Sequence, residues 1–205
     1  MRIVNCTTAA QYFHVLRRQA LVLNTDPLPL VVMAPKSLLR HPMTASSPAE
    51  LADGKFQLVI DDAEASAQPA KVRRLVLCSG KVAVDLLTSE QRKQNANVAV
   101  VRVEQLYPFP DDVIRQVIDR YPKVREICWV QEEPENMGAW EFVRPVLETI
   151  IDSRWPLRYI GRARNSSPSE GSSSWHAANQ RAIVAQAFEA KAETKELDRV
   201  LSKQV

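Results

Sequence analysis

Short apolar runs alternate with longer amphipathic stretches from about residue 72 onward. The runs are rich in Val, Ile and Leu and nearly continuous, which is typical of parallel strands that are buried on both faces. They are Val72–Cys78, Val98–Val103, Ile127–Val130 and Leu157–Ile160. The stretches with helical periodicity are Lys81–Lys93, Asp111–Tyr121, Gly138–Ile151 and about Ser173–Phe188. This alternation predicts an α/β fold, in which a parallel sheet with a mixed edge has right-handed crossovers and helices on both faces.

The first 60 residues follow a different pattern, with only two strands and one helix of α/β character. The predicted elements are strands at Arg2–Asn5 and Leu30–Met33, a helix over Thr8–Arg18 and an ordered loop at Pro35–Pro42. The helix begins with a capping-box spacing, Thr8-x-x-Gln11. Because parallel strands need both faces covered, we expect residues 1–60 to be the end of a domain whose beginning is absent.

A change of composition marks where one domain is expected to give way to the next. Residues 61–71 are polar and contain alanine and proline, which predicts a linker. We therefore divide the chain into a domain remnant at 1–60, this linker, an α/β domain at 72–188 and a polar tail at 189–205. The tail alternates in charge, which indicates a solvated helix extension or a frayed end.

Glycine is scarce, and this excludes one class of nucleotide-binding fold. The chain has 205 residues, of which 5 are glycine, and neither G-x-G-x-x-G nor G-x-x-x-x-G-K-[ST] occurs. Without such a motif the backbone forms no glycine-rich cradle for phosphate groups. The composition, 45% hydrophobic and 25% charged, is otherwise that of an ordinary globular protein.

Charge and cysteine content limit the classes of partner and the cellular compartment that we expect for the protein. A net charge of +3 without a lysine- or arginine-rich block does not indicate a nucleic-acid surface. The three cysteines are far apart and form no C-x-x-C, so we predict no disulfide framework or zinc site and expect a reducing compartment. No stretch approaches the ~18–20 apolar residues of a membrane span. We therefore expect a cytoplasmic protein without membrane or nucleic-acid partners.

Glu132 and Glu133 come directly after the predicted strand Ile127–Val130. Ligands of open parallel sheets bind outside the carboxyl ends of the strands, so this acidic pair and Asn136 of the same loop are candidate ligand residues. Two carboxylates held close together would raise the pKa of one of them, as a general acid requires. The alternative is structural, with both carboxylates capping loop amides and the helix that begins near Gly138.

A compact basic loop follows the second predicted strand. It places Lys36, Arg40 and His41 between two prolines, where they could hold an anion such as phosphate or a carboxylate, with arginine as a bidentate donor. A solvated loop fixed by the prolines is an equal alternative. The other histidines, His14 and His176, share no metal-ligand spacing with it, so we expect no metal site.

Two serine-containing segments precede predicted helices. Ser79 lacks the flanking glycines of a nucleophile elbow, so an N-cap is its simpler role. The segment Ser166–Ser174 could bind an anion at the helix N-terminus or form a flexible turn. Neither segment completes a catalytic set.

Five motifs stand in the same order as in a known enzyme family. They are PKSLLRHP (Pro35–Pro42), CSGKVAVDLL (Cys78–Leu87), VRVEQLYPFP (Val101–Pro110), QEEPENMGAW (Gln131–Trp140) and YIGRARNSSPSEGSSSWH (Tyr159–His176). Together they resemble the C-terminal region of the thiamine-diphosphate-dependent decarboxylating component of 2-oxoglutarate dehydrogenase, a transketolase-like enzyme. The resemblance covers about residues 2–188, and the EQLYPFP and QEEP-x-N-x-GAW strings together are highly specific.

The resemblance implies that residues 1–60 close a pyrimidine-binding domain and that residues 72–188 form a transketolase-type C-terminal domain, which builds the dimer interface. In this family the complete enzyme binds thiamine diphosphate and magnesium between domains of two subunits. It decarboxylates 2-oxoglutarate and passes the succinyl group to a lipoyl arm of the dihydrolipoyl succinyltransferase component.

The chain departs from the family at the cofactor-binding positions. The family's G-D-G motif has no counterpart here, and the only Asp-Gly, Asp53-Gly54, lacks the preceding glycine. The activating glutamate and the active-site histidines precede Met1 in family order, so none is carried over and no cofactor is expected for this chain alone. Leu28 stands where some relatives have an effector-site arginine, so nucleotide regulation is not implied.

We therefore predict a C-terminal segment of a 2-oxoglutarate dehydrogenase decarboxylase that is inactive alone. Its implied partners are the missing N-terminal portion or a split-enzyme subunit, and a second copy in a homodimer. Its location in a eukaryote would be the mitochondrial matrix. The alternative is a non-catalytic oligomerisation or binding module that kept the fold. A truncated first domain should leave apolar surface exposed.

Overall fold

Two β-sheets carry the fold of residues 1–189, the part of the chain that the computed structural model describes. The strands are β1 (Arg2–Asn5), β2 (Leu30–Met33), β3 (Val59–Ile60), β4 (Arg74–Cys78), β5 (Val98–Val103), β6 (Gln105–Tyr107), β7 (Glu126–Pro134) and β8 (Leu157–Arg162). The helices are α1 (Ala9–Leu21), α2 (Pro48–Asp53), α3 (Ala63–Ser66), α4 (Lys81–Thr88), α5 (Glu90–Gln94), α6 (Asp111–Asp119), α7 (Trp140–Ile151) and α8 (Ser173–Phe188). Not one of these helices has the length and apolar character that crossing a bilayer requires. The predicted tail 189–205 lies outside the described residues except for Glu189.

The larger sheet has five strands in the order β3-β5-β4-β7-β8. Neighbours among β4, β5, β7 and β8 run parallel, whereas β3 joins the edge antiparallel, with Val59 opposite Val103. Helices pack against both faces of this sheet. The predicted α/β fold with a mixed-edge sheet is therefore confirmed.

The two faces of the larger sheet carry separate apolar cores, because successive side chains of a strand point to opposite sides. In β4, Leu75 and Leu77 join the core beneath α6 and α7, and Val76 and Cys78 join the core beneath α4 and α8. All four side chains are fully buried. Burying one Val or Leu side chain contributes about 1.5–3 kcal/mol, so these continuous apolar strands stabilise the layered arrangement.

The smaller sheet has three strands in the order β2-β1-β6. β1 and β2 run parallel, and β6 pairs antiparallel with β1, with Ile3 opposite Tyr107. The two parts of the chain therefore exchange strands. β3 comes from the first 60 residues and lies in the larger sheet, and β6 comes from the second part and lies in the smaller one. The division into domains at residue 60 stays a prediction.

The predicted linker 61–71 contains the short helix α3 and a single 3-10 turn at Pro69–Lys71. Asp62 at its start is 4% exposed, caps α3 and accepts a hydrogen bond from the backbone N–H of Val100 at 2.9 Å. Its carboxylate also pairs with the guanidinium of Arg92 in α5 at 2.7 Å. A buried ion pair thus anchors this stretch to the larger sheet, which its polar composition did not indicate.

Two boundaries around the predicted site differ from the sequence prediction. The predicted helix Lys81–Lys93 is two helices, because Ser89 is extended and its side chain caps α5. Strand β7 runs on to Pro134, so Glu132 and Glu133 belong to the end of the strand rather than to the loop after it.

Candidate functional site

The carboxyl ends of the parallel strands form one polar edge of the larger sheet. Ser79 follows β4, and Glu104 follows β5. Glu132 and Glu133 lie near the end of β7, and Arg162 ends β8. Ligands of open α/β sheets bind at such an edge, so the contacts of these residues define the candidate site.

Glu132 belongs to a half-buried ion-pair cluster at the start of α4. Its Oε1 lies 3.3 Å from Nζ of Lys81, which also pairs with Asp85 one turn along the helix. Burial raises the pKa of Glu132, and the charge of Lys81 opposes that shift. Burial disfavours the charge on Lys81, but its bonds to Asp85 and Glu132 outweigh this effect and raise its pKa. Glu132 is therefore held by a cation.

Glu133 has a different environment from its neighbour. It is exposed, and its side chain lies against Gly138 in the turn that precedes α7. Among residues 1–189 its carboxylate has no ion-pair partner. The charge of Glu133 is the last of the named contributions to the raised pKa of Glu132, whose first cause is burial. The predicted rise in the pKa of one of the two carboxylates is therefore found at Glu132, with burial rather than the neighbouring charge as its main cause.

Asn136 ties two loops together. Its Nδ2 donates to the backbone oxygen of Asn165 at 2.9 Å, and its Oδ1 accepts the backbone N–H of the same residue at 3.0 Å. The segment after β7 is thereby joined to the segment after β8. A ligand role for Asn136 stays a prediction.

Gln131 fixes the turn between β7 and α7, and sequence reasoning did not single it out. Its Oε1 accepts the indole N–H of Trp129 and the backbone N–H of Trp140, both at 3.0 Å. Its Nε2 donates to the backbone oxygen of Met137 at 2.8 Å. The side chain is buried, so each bond satisfies a group that water does not reach. A glutamine directly after an apolar strand was the signal that could have identified it.

A second cluster that was missed lies between β8 and α8. Arg162 pairs with Glu170, and Nδ1 of His176 lies 3.1 Å from Oε2 of the same glutamate. Hydrogen bonds from Arg162 and Asn179 lower the pKa of Glu170 to about 2. Ser172 caps α8. The cluster therefore ties the serine-rich segment to β8 and α8.

Glu104 is a fully buried acid between the two sheets, and it too was missed. It accepts hydrogen bonds from the backbone N–H of Thr7 at 2.9 Å and from the Thr7 hydroxyl. Nε2 of Gln11 donates to this carboxylate at 3.4 Å. Its Oε1 accepts the backbone N–H of Gln57 at 3.0 Å instead of completing the predicted capping box, although Thr8 caps α1 as expected. Burial raises the pKa of Glu104, and the bonds from Thr7 counteract part of the shift.

The basic loop lies apart from the acidic edge. Lys36 and Arg40 are exposed, and their side chains form no ion pair with the described part of the chain. His41 is half-buried and starts a 3-10 turn, where its Nδ1 accepts the backbone N–H of Met43 at 3.2 Å. No hydrogen bond within residues 1–189 connects these three side chains to Glu132. An anion-binding role for the loop stays a prediction.

Ser79 is not the N-cap of α4, so that prediction was wrong. Gly80 occupies the cap position with a φ of +70°, which glycine adopts without steric cost. The Ser79 hydroxyl instead donates to the backbone oxygen of Val103 at 2.8 Å. The strand end of β4 is thus bonded to that of β5.

The polar edge offers binding groups rather than a metal centre. Within the described chain, no three His, Cys, Asp or Glu side chains are grouped so that they could hold a metal ion. Most carboxylates of the edge are held by a lysine, an arginine or backbone N–H groups. Glu133 is the exception, because its carboxylate is exposed and has no ion-pair partner among residues 1–189, so it is available to bind a ligand.

Comparison with known proteins identifies the family. Residues 45–188 match the family model described as 2-oxoglutarate dehydrogenase C-terminal. Similar proteins include the 2-oxoglutarate dehydrogenase E1 components of Bacillus cereus (strain G9842), at 48% identity, and Bacillus mycoides (strain KBAB4), at 47%. Each alignment covers 92% of this chain and 20% of the relative, so the chain spans about a fifth of the length of these relatives. The resemblance seen in the five motifs is confirmed, and the chain belongs to the 2-oxoglutarate dehydrogenase C-terminal family.

Proposed function

We propose that this chain serves as the C-terminal segment of a 2-oxoglutarate dehydrogenase E1 component, where it builds the dimer interface and part of the active-site scaffold. The complete enzyme would carry out the oxidative decarboxylation of 2-oxoglutarate in the citric acid cycle, with the dihydrolipoyl succinyltransferase component as acceptor of the succinyl group. The observation that carries the proposal is 48% identity over 92% of the chain to an E1 component. We expect the chain to be catalytically inert alone.

We propose thiamine diphosphate and magnesium for the complete enzyme rather than for this chain. Magnesium bound to a diphosphate needs additional oxygen ligands from the protein. Residues 1–189 present no grouping of three His, Cys, Asp or Glu side chains for a metal. In the only Asp-Gly pair, Asp53-Gly54, the glycine is packed against the His14 ring and the backbone oxygen of Glu50. The described residues therefore do not fit the cofactor, and we assign them no step through it.

An apolar face of the smaller sheet is where we place the remainder of the E1 protein. Tyr12, Phe13 and Leu16 of α1 are 44%, 45% and 46% exposed. Together with Leu38 and Leu39 they line a groove of about 480 Å³. Burial of such side chains contributes about 25 cal/mol per Å² of apolar surface, so a partner that covers the groove is stabilised there.

The edge of the same sheet supports this placement. Within residues 1–189, β2 pairs with β1 on one side only, so its outer edge has backbone groups that no described strand pairs. The matched region is 20% of the relatives' length, so most of their chain is available to add a strand and cover the groove. The occupant we propose is the E1 portion that precedes the matched region.

The proposal is tested by complementation. We assay two proteins, separately and together: the purified chain, and a Bacillus E1 component that is shortened so that it ends before the matched region. The assay contains 2-oxoglutarate, thiamine diphosphate, magnesium and an artificial electron acceptor. We expect no turnover from either protein alone and turnover from the mixture. Turnover by this chain alone contradicts the proposal, and so does a mixture that neither associates on size-exclusion chromatography nor turns over.

Two substitutions locate the contact. Phe13→Ser in the α1 face should weaken association with the truncated E1 at least about tenfold, because it removes a large apolar contact. Trp175→Ser is the matched control, since Trp175 is 64% exposed on α8, outside the groove. A homodimer that does not bind the truncated E1 would favour the alternative of a non-catalytic oligomerisation module.

We also propose the cytoplasm, or the mitochondrial matrix in a eukaryote, as the location of the protein. The three cysteines, Cys6, Cys78 and Cys128, are free. Free thiols are typical of proteins in reducing compartments.

A further inference from the structure

A cleft of about 300 Å³ opens between the two sheets. Ser79 after β4 and Gln131 and Glu133 of β7 line one side of it. Asn5 and Met33, the last residues of β1 and β2, line the other side. The carboxyl ends of two pairs of parallel strands, β4 and β7 in the larger sheet and β1 and β2 in the smaller one, therefore meet at this cleft.

The cleft lies at the topological switch point of the larger sheet. β4 and β7 are neighbours, but β4 leads through α4 to a strand on one side, and β7 leads through α7 to a strand on the other. The two helices pack on opposite faces of the sheet. The connections after the two strands therefore diverge and leave a crevice, which is where open α/β sheets bind their ligands.

The lining of the cleft is mostly apolar and aromatic. Leu106 and the indole of Trp129 contribute apolar surface, and Tyr107 and Phe142 lie side by side with ring centroids 5.8 Å apart. Both rings remain about two-fifths exposed, so their surfaces are accessible to a ligand. Clefts of this kind bind a compact apolar body, and aromatic faces also attract organic cations.

Glu133 is the charged residue among the described residues that line the cleft, and its carboxylate is an acceptor. Glu133 has a carboxylate without an ion-pair partner in the described chain, as noted above. Asn5 has a buried Oδ1 that accepts no hydrogen bond from the described residues. Ser79 already donates its hydroxyl hydrogen to Val103, and the amide of Gln131 is occupied by the bonds given above. A positively charged ligand therefore complements the carboxylate of Glu133.

From this geometry we propose that the cleft is a binding site for a small organic cation with a primary ammonium group on an apolar or aromatic body. The body packs against Tyr107 and Phe142, and the ammonium group pairs with the carboxylate of Glu133. None of the described residues that line the cleft is a lysine or an arginine, so an organic anion finds no counter-charge among them. The site is built from residues of this chain, so it does not depend on the proposed E1 role.

The test uses the full chain labelled with ¹⁵N and titrated with phenethylammonium, followed through the indole N–H signals. Trp129 lines the cleft and Trp175 does not. We expect a saturable shift of the Trp129 signal and no change at Trp175. Phenylacetate, which has the same ring and the opposite charge, should change neither signal. Equal binding of both compounds, or no saturable shift at Trp129, overturns the proposal.

A pair of variants tests the role of the carboxylate. Glu133→Gln keeps the shape of the side chain and removes its charge, so it should weaken phenethylammonium binding at least about fivefold. Glu135→Gln is the matched control, because Glu135 lies two residues further along and outside the lining of the cleft. Unchanged affinity in Glu133→Gln, or an equal loss in both variants, contradicts the assignment.

Discussion

The carboxylate of Glu104 accepts the backbone N–H of Thr7 at 2.9 Å, across 97 positions of sequence. The bond connects the end of β5 in the larger sheet to the turn between β1 and α1 in the smaller one. Arg102 extends the network, since its Nη1 donates to the Thr7 hydroxyl at 2.9 Å. The junction of the two sheets therefore includes an ionisable group that water does not reach.

This junction makes stability depend on pH. Burial raises the pKa of Glu104 above its ordinary value of 4.5. The folded protein keeps this proton at pH values where the unfolded chain has lost it, so the free energy of unfolding falls as pH rises from about 4.5 through the raised pKa. Glu104→Gln cannot ionise, and this component of the fall should be absent from its urea unfolding curves between about pH 4.5 and pH 8.

The matched control for Glu104 is Glu148→Gln, because the Glu148 carboxylate is 58% exposed on α7. Its stability should change with pH as that of the unmodified protein does. If the curves of Glu104→Gln and the unmodified protein stay parallel over the whole range, Glu104 does not cause the pH dependence.

The ion pair between Arg92 and Asp62 should be far more sensitive to substitution than an exposed pair beside it. Arg92→Met leaves the Asp62 carboxylate buried without its cation, which costs about 3–5 kcal/mol of unfolding free energy. Lys93→Met breaks the exposed pair with Glu90 and should cost less than about 1 kcal/mol. Equal losses in urea unfolding would show that the buried pair has no special role.

Gly138 should not tolerate a side chain. It has a φ of +66°, and an added Cβ would lie 3.0 Å from side-chain atoms of Gln131 and Glu133. Gly138→Ala should therefore lower the unfolding free energy by at least about 1–2 kcal/mol. At Gly171 an added Cβ meets nothing within 4 Å, so Gly171→Ala should be neutral or slightly stabilising. Equal stability of the two variants would contradict the strain at Gly138.

The thiols should be slow to react while the protein is folded. Burial raises the pKa of Cys6, Cys78 and Cys128 to about 12, so almost no thiolate is present near pH 8. Iodoacetamide followed by mass spectrometry should find little labelling in the native protein and labelling of all three in urea. Labelling of native Cys6 at the rate of a free thiol would show that its surroundings are more open.

The central strands and long helices could be predicted because their signals are local. Leu75 and Val76 belong to a continuous apolar run whose burial on both faces follows from composition alone. The strands β3 and β6 could not be predicted in this way, because they have two and three residues. Each forms only where a distant partner lies beside it, as Ile3 does for Tyr107.

The location of the acidic residues of the site could be predicted from the sequence, but their individual contacts could not. Glu132 and Glu133 were identified because they follow a buried strand, and they do lie at the carboxyl edge of the sheet. Glu132 is paired with Lys81, whereas Glu133 faces a cleft. This difference depends on where α4 and α7 pack, which the sequence pattern does not indicate. Glu104 gave no signal, because its burial is decided by residues that are distant in sequence, such as Thr7.

The exchange of β3 and β6 between the sheets also sets an order for biosynthesis. β1 and β2 are synthesised before β6, so the antiparallel partner of β1 does not exist until Tyr107 has been made. β3 likewise waits for Val103 at the end of β5. The early strands must therefore stay unaggregated while the middle of the chain is translated. Cleavage of the folded protein between residues 61 and 71 would leave two fragments that remain associated through the β1–β6 and β3–β5 pairings.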